Sequence, residues 1–225
     1  GCPRMSRFLP MLTTAAGSIQ PGRALILGAG VAGLQAIATA RRLGAVVSGF
    51  DVRAAAAEQV QSLGARFIAP DAVAADAEAA GGYARELADD QQRLVLEAVA
   101  GAITDADLVI ATAAIPGRPA PKLITAAMVD TMKPGAVIVD VSAETGGNCE
   151  LTEPGQVVTR SGVTIMGPLD IPATLPQHAS QMFSRNIQTL IEHLTPEGRL
   201  VIDLDDEITG AMCVVHQGSH RHGGN

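Results

Sequence analysis

Apolar residues fall along this chain in two alternating rhythms. Short continuous runs, ALILG (24–28), AVVSGF (45–50), ARFIA (65–69), ADLVIATA (106–113), AVIVDV (136–141) and VTIMG (163–167), read as strands buried on both faces. Between them lie segments of helical period over 31–43, 54–63, about 85–103, about 125–132 and 177–194. Strand and helix alternating through short connections predict a parallel sheet covered on both sides, a doubly wound α/β fold of Rossmann type. No repeat at solenoid periods competes with that reading.

The first 20 residues carry no clear period, and Pro21-Gly22 punctuates the chain ahead of the first strand. The predicted organisation is an N-terminal stretch over 1–20, a Rossmann-like dinucleotide-binding domain over 21–195, and a short C-terminal appendage with its tail over 196–225. One connection is unusual. Pro70 to Tyr83 (PDAVAADAEAAGGY) is rich in Ala, acid and Gly, has no apolar stripe and is too long for an ordinary turn. It reads equally as a loose surface loop or as a lid.

Composition narrows the function classes. Trp is absent, with one Tyr and four Phe, so the core is built from Ala, Val, Leu and Ile. A formal charge of −7 and so few stacking rings exclude a nucleic-acid surface. No apolar run approaches the roughly 20 residues that span a bilayer, so a membrane role would come through a partner. Arg4 and Arg7 before a short apolar patch imitate a signal peptide, but Pro10 interrupts the patch. Cys2, Cys149 and Cys213 are an odd number without CxxC spacing, which suits reduced thiols in a cytoplasm better than disulfides or zinc.

The candidate chemistry is concentrated in GAGVAG, residues 28–33. GxGxxG alone is weak, but here it follows a predicted strand and opens a predicted helix. Gly28 permits a tight turn, Gly30 lets backbone N–H groups approach a pyrophosphate, and Gly33 lets the helix lie close to the sheet. Asp51 ends the second strand 18 residues past Gly33, where a carboxylate accepts the ribose hydroxyls of an adenosine. Its charge repels a 2′-phosphate and favours NAD over NADP, an inference that Arg53 weakens.

A partner for hydride exchange is harder to find. A substrate dehydrogenase needs a general acid or base and a cation to hold its substrate. The chain has two lysines, Lys122 and Lys133; His178 and His193 fall on a predicted helix, and His216, His220 and His222 crowd the end. HQGSHRH reads as a terminal tail rather than a metal site. No catalytic residue and no metal ligand is predicted. Cys149 reads as a small buried hydrophobe rather than a nucleophile. Glu144, Gly146, Gly147 and Asn148 either line the cofactor crevice or form a turn.

Longer blocks carry a resemblance. GAGVAGLQAIATARRLGAVV, FDVRAAAAEQVQSLGA, GGYARE, TAAIPGRPAPKLIT, MKPGAVIVDVSAETGGNCELTEPG and LDDEITGAMCVV are similar, in order, to the NAD-binding domain of proton-pumping NAD(P) transhydrogenase alpha subunits, from about Pro10 to His216. The resemblance implies direct hydride transfer from NADH to NADP⁺ held by a beta subunit, coupled to proton movement through a membrane domain. It implies a homodimer in the cytoplasm, peripheral to the inner membrane through its partner subunits. No acid or base is then required here. By the same resemblance the cofactor contacts are Val31 at the helix start, Asp51, Val52 and Arg53 at the ribose, Gly82 and Tyr83 in the lid, and Ala114 beside the nicotinamide.

The chain also departs from the family. The family's first domain is missing, and the chain reads as a fragment or an internally deleted form. PRMSR (3–7) resembles the start of the family's Arg-Gln-Asp loop, making Arg4 its arginine, while Leu9 and Leu12 stand where the Gln and Asp belong. Two alternatives remain: the cofactor domain of alanine dehydrogenase, which shares PKLIT-like and KPG-like segments, and a non-catalytic NAD-binding module.

Overall fold

The computed structural model describes residues 4–68 and 89–221. They divide into two units, Gly1–Leu169 and Asp170–Asn225, so the helix over 177–194 that the apolar pattern joins to the Rossmann domain lies in the second. In chain order the first unit contains a hairpin, β1 (Leu12–Thr14) and β2 (Gly17–Ile19), then β3 (Arg23–Leu27), α1 (Val31–Arg42), β4 (Val46–Phe50), α2 (Ala56–Ser62) and β5 (Arg66–Ile68). α3 (Asp89–Ile103), β6 (Leu108–Ala111), α4 (Ala126–Thr131), β7 (Val137–Asp140), β8 (Val157–Arg160) and β9 (Val163–Met166) follow.

The sheet runs β5-β4-β3-β6-β7-β9-β8. Its strand order reverses between β3 and β6, which leaves a crevice at their carboxyl ends where open α/β sheets bind ligands. The apolar runs explain the layers. Leu25, Leu27, Phe50, Val109 and Ile138 face a core closed by Val95, Val99 and Ile103 of α3 and by Met128 and Val129 of α4. Ala24, Ile26, Val47 and Val137 face the opposite core, with Ile37 and Ala40 of α1 and Val60 of α2. Deleting a fully buried side chain such as Ile37 costs about 2–5 kcal/mol.

The sheet is mixed rather than wholly parallel. β8 pairs antiparallel with β9, an edge that the apolar pattern does not predict. Ser161 and Gly162 link them, both with positive φ (51° and 78°), the geometry of a two-residue hairpin turn. This edge is tied down from outside: the Arg160 guanidinium donates through Nε and Nη2 to the two carboxylate oxygens of Asp130, each at 2.9 Å.

Residues 5–10 lie across the amino-terminal ends of the strands. The Gly22 N–H donates to the carbonyls of Phe8 and Leu9, and Leu9 is buried in the α1-side core. The Ser6 hydroxyl reaches the Gly135 carbonyl, and Arg7 pairs with buried Asp107, which also accepts the Arg23 N–H at 2.8 Å.

In the second unit, α5 (Pro176–Leu194) is followed by α6 (Glu207–Met212) and a small hairpin of β10 (Val215–His216) and β11 (Ser219–His220). Among its described residues only Thr209 is buried, and Met182, Phe183, Ile187 and Ile191 form an exposed apolar stripe on α5. His193 Nε2 lies 2.9 Å from Asp206, which caps α6 by accepting the Thr209 N–H. That backbone donor first, and His193 second, holds the Asp206 carboxyl down at about 2.

The sheet edge generates a pH prediction. Hydrogen bonds from Arg160 and then Ser161 lower the Asp130 carboxyl from an ordinary 3.8 to about 2. A depressed folded-state value means that the pair's contribution is present above the ordinary value and is lost as pH falls through the folded one. Hydrogen-exchange protection of the β8 amides, relative to those of β7, should fall over that acid interval. In Arg160→Ala, which leaves only the Ser161 bond, the relative protection should already be lower and should change less across it.

Candidate functional site

The turn after β3 is built by close approach. Gly28 has φ +96°, and a Cβ there would come within 2.9 Å of Thr112 Oγ1 and 3.0 Å of the Ala113 nitrogen. A Cβ on Gly33 would run into the Gly28 carbonyl, so the first turn of α1 lies directly on the glycine turn. Gly30 differs: a Cβ there would meet nothing within 4 Å. Open space therefore faces the N-terminus of α1, where unpaired N–H groups and the positive end of the helix dipole favour an anion. Val31, the first helical residue, is 91% exposed beside it.

Asp51 sits at the end of β4, only 6% exposed, with its carboxylate fully engaged. It accepts the Ala29 N–H at 2.7 Å, the Arg53 N–H at 2.9 Å, and the Arg53 side chain at 2.9 Å through Nε and 3.0 Å through Nη2. The residue read as a ribose acceptor thus also fixes the glycine turn. The residue read as weakening NAD selectivity is forked onto it, as a bidentate Arg–carboxylate pair. Val52, between them, is half-buried.

The far side of the crevice is the chain leaving β6. Thr112 donates to the carbonyls of Leu27 or Gly28, both 3.2 Å away, and pins that chain to the glycine turn. Half-buried Ala113 and exposed Ala114 follow. Below it, the turn after β7 closes around Asp140, a fully buried carboxylate that accepts the Cys149 N–H (2.9 Å), the Thr152 hydroxyl (2.6 Å) and the Ser142 N–H (3.2 Å). The alternatives at 144–148 divide: Glu144 and Gly146 are exposed, whereas Gly147 and Asn148 are buried within the turn. Cys149 is fully buried, and that burial raises its thiol above the usual range.

The structure therefore brings together Gly28, Gly30, Val31, Gly33, Asp51, Val52, Arg53 and Ala114 around one crevice. Arg4 is not among them. Its neighbours Ser6 and Arg7 are held at the amino-terminal ends of the strands, and the glycine turn is at the carboxyl ends, about 16 Å away along a five-residue strand. Gly82, Tyr83 and the proposed lid over 70–83 lie outside the described residues. Thr112, Asp140 and Ser142 lie in blocks that carry the resemblance, which gives them no role, although each sits at or just past the carboxyl end of a strand on the ligand-binding side. No described helix is long and apolar enough to cross a membrane, and no described group of three or more His, Cys, Asp or Glu could hold a metal ion.

A glycine turn between the first strand and helix, at the switch point of a largely parallel sheet, defines a Rossmann-like nucleotide-binding domain. Residues 1–223 match the family described as alanine dehydrogenase/PNT, C-terminal domain, and the chain belongs to that family. An NAD(P) transhydrogenase alpha subunit of Rhodospirillum rubrum is 48% identical over 228 residues, 99% of this chain and 59% of that protein. The crystal structure of transhydrogenase from Sinorhizobium meliloti matches with a TM-score of 0.79 at 43% identity, over 97% of this chain and 58% of that one. An alanine dehydrogenase of Bilophila wadsworthia is 35% identical over 142 residues, 63% of this chain and 32% of that protein. The resemblance read from the sequence blocks therefore holds, and the chain spans about three fifths of these transhydrogenase relatives.

The crowded glycine yields a stability test. Gly33→Ala pushes a methyl group into backbone that cannot yield, and such overpacking costs about 1–3 kcal/mol. Its urea midpoint should fall with the slope unchanged, whereas Gly101→Ala, in α3 with open space around it, should be neutral or slightly stabilising.

Proposed function

We propose that this chain is the NAD(H)-binding domain of a proton-translocating NAD(P) transhydrogenase alpha subunit. The observation that carries the reading is the crevice itself: a cradle left open at Gly30, flanked by the fixed Asp51 carboxylate on one wall and by Ala114 on the other. Similarity across nearly the whole chain to a transhydrogenase subunit, against 63% coverage by the alanine dehydrogenase, supports the choice between relatives.

Gly28, Gly30, Val31 and Gly33 would hold the pyrophosphate, with backbone N–H groups of α1 as donors. Asp51, Val52 and Arg53 would take the adenosine ribose, its hydroxyls reaching the Asp51 carboxylate by displacing the Arg53 guanidinium, and Ala114 would stand beside the nicotinamide, with Gly82 and Tyr83 closing over it. Arg4 joins them only if residues 4–7 leave the amino-terminal edge of the sheet. The reduced dinucleotide, when bound, supplies a hydride to the nicotinamide of NADP⁺ on a beta-subunit partner. The chain's own task is to bind, orient and exclude water, and that task requires no general acid or base. The beta subunit, a membrane domain, a second copy of this chain and a cytoplasmic position at the inner membrane belong to the same proposal.

Asp51 discriminates between the cofactors less sharply than a bare carboxylate, because Arg53 neutralises it and offers a cation to a 2′-phosphate. Calorimetry should give a micromolar-scale affinity for NADH and a weaker one for NADPH. Arg53→Ala should widen that gap by removing the cation. Equal affinities in the parent would contradict the assignment of NADH to this pocket. Gly30→Ala should keep its melting temperature yet lose NADH affinity by about tenfold or more, since its methyl group fills only the open cradle. Rapid NADH oxidation with pyruvate and ammonia would favour the alanine dehydrogenase alternative. Hydride transfer to an NADP⁺ analogue only when the beta-subunit domain is added favours the transhydrogenase reading.

A further inference from the structure

Asn148 has a hydrogen-bonding arrangement that a simple turn does not need. Its side chain is fully buried, and Nδ2 donates to two carbonyls, Ala113 at 2.9 Å and Pro121 at 2.8 Å. Its own backbone carbonyl accepts from Leu123 and Ile124 at 2.8 and 3.0 Å. One residue thereby clasps both ends of the loop from Ala113 to Pro121. The Ala113 carbonyl receives a second donor, the Ser142 hydroxyl at 3.0 Å, so both of its lone pairs are engaged.

The remaining atom, Asn148 Oδ1, is buried with no hydrogen-bond partner. Turning the amide over would place that oxygen against two carbonyls, so its neighbours fix its orientation. Buried polar side-chain atoms are nearly always paired, and an exception calls for a reason. Here the reason is geometric. Two donors must leave one uncharged nitrogen towards carbonyls at opposite ends of a loop, and an amide supplies them at the cost of stranding its oxygen.

The loop so held includes the crevice wall. The peptide after Ala113 carries exposed Ala114, and the residue before it, Thr112, contacts the Gly28 carbonyl. We propose that Asn148 is a positioning residue: through the Ala113 carbonyl it sets the distance between Ala114 and the glycine turn, and so the seat of the nicotinamide end, without touching the ligand. Ser142 assists at the same oxygen. The inference rests on the dinucleotide reading of the crevice.

A ligand lacking the nicotinamide separates positioning from general support. NADH and ADP-ribose share the adenosine and both phosphates, and only NADH reaches the Ala114 wall. In Asn148→Ala the affinity for NADH should fall by about tenfold while that for ADP-ribose stays within about twofold, a loss comparable to one buried hydrogen bond. Ser142→Ala, which removes a single donor and leaves the clasp in place, should show the same pattern more weakly, and it carries the test if Asn148→Ala does not fold. Equal losses for both ligands, or no loss for either, would overturn the inference. So would a parent chain that binds the two ligands equally, because the nicotinamide would then gain nothing from the wall. A parent chain that binds neither ligand would instead overturn the dinucleotide reading, and this inference with it.

Discussion

The first turn of α1 rests on the carbonyl of Gly28, and this contact governs the geometry around it. No side chain can separate the helix from the turn at Gly33, so the helix N-terminus points across the carboxyl ends of β3 and β6 at close range. Gly28 in turn is crowded by Thr112, and Ala29 is held by Asp51. Helix, turn and both neighbouring strands are thus fixed by one patch of backbone. The small residues elsewhere in the core, such as Ala40, Ala45, Ala56, Ala106 and Ala136, let the layers approach as closely as that contact requires.

Asp51 and Asp140 solve related problems at opposite sides of the crevice. Each is a buried carboxylate at the end of a strand, and each organises the turn that follows by accepting backbone N–H groups. Asp51 does so beside an arginine, which gives its end of the crevice little net charge. Asp140 takes its hydrogen bonds from neutral groups, the N–H of Ser142, the N–H of Cys149 and the Thr152 hydroxyl. The electrostatic attraction for a dinucleotide is therefore concentrated at the N-terminus of α1, and the walls serve chiefly to set spacing.

The strands of the central sheet and the helices packed on it are legible in the sequence because burial on both faces leaves continuous apolar runs, and GAGVAG follows one of them. β8 is not legible: its residues are mostly exposed, VVTR is short, and its only local signal is the Ser161-Gly162 turn. The N-terminal segment also escapes. Leu9 is buried through a single contact region, so it has no period to detect, and its segment's partners at Gly22 and Asp107 lie further along the chain. At the site, residue types on the strand ends are readable, while the clasp of Asn148 is not. Which carbonyls an amide reaches depends on how two loops meet, and neither loop has a periodic pattern. A resemblance based on matching letters also places Arg4 at the cofactor, whereas the fold holds its neighbours at the other end of the strands.

The sheet order places the two walls of the crevice far apart in the chain. β3 lies beside β6, and the bond from the Arg23 N–H to Asp107 that begins their pairing spans 84 residues. At a synthesis rate of roughly 5–20 residues per second, β3 emerges about 4–17 seconds before its neighbour. Hydrophobic collapse takes microseconds, so β3, α1 and β4 can assemble long before Thr112 exists to close the glycine turn. For most of that interval the face of β3 and β4 bearing Leu25, Leu27 and Phe50 has neither α3 nor α4 to cover it. The nascent chain thus exposes a two-stranded apolar surface for seconds, long enough for a chaperone to bind it or for it to aggregate with another chain.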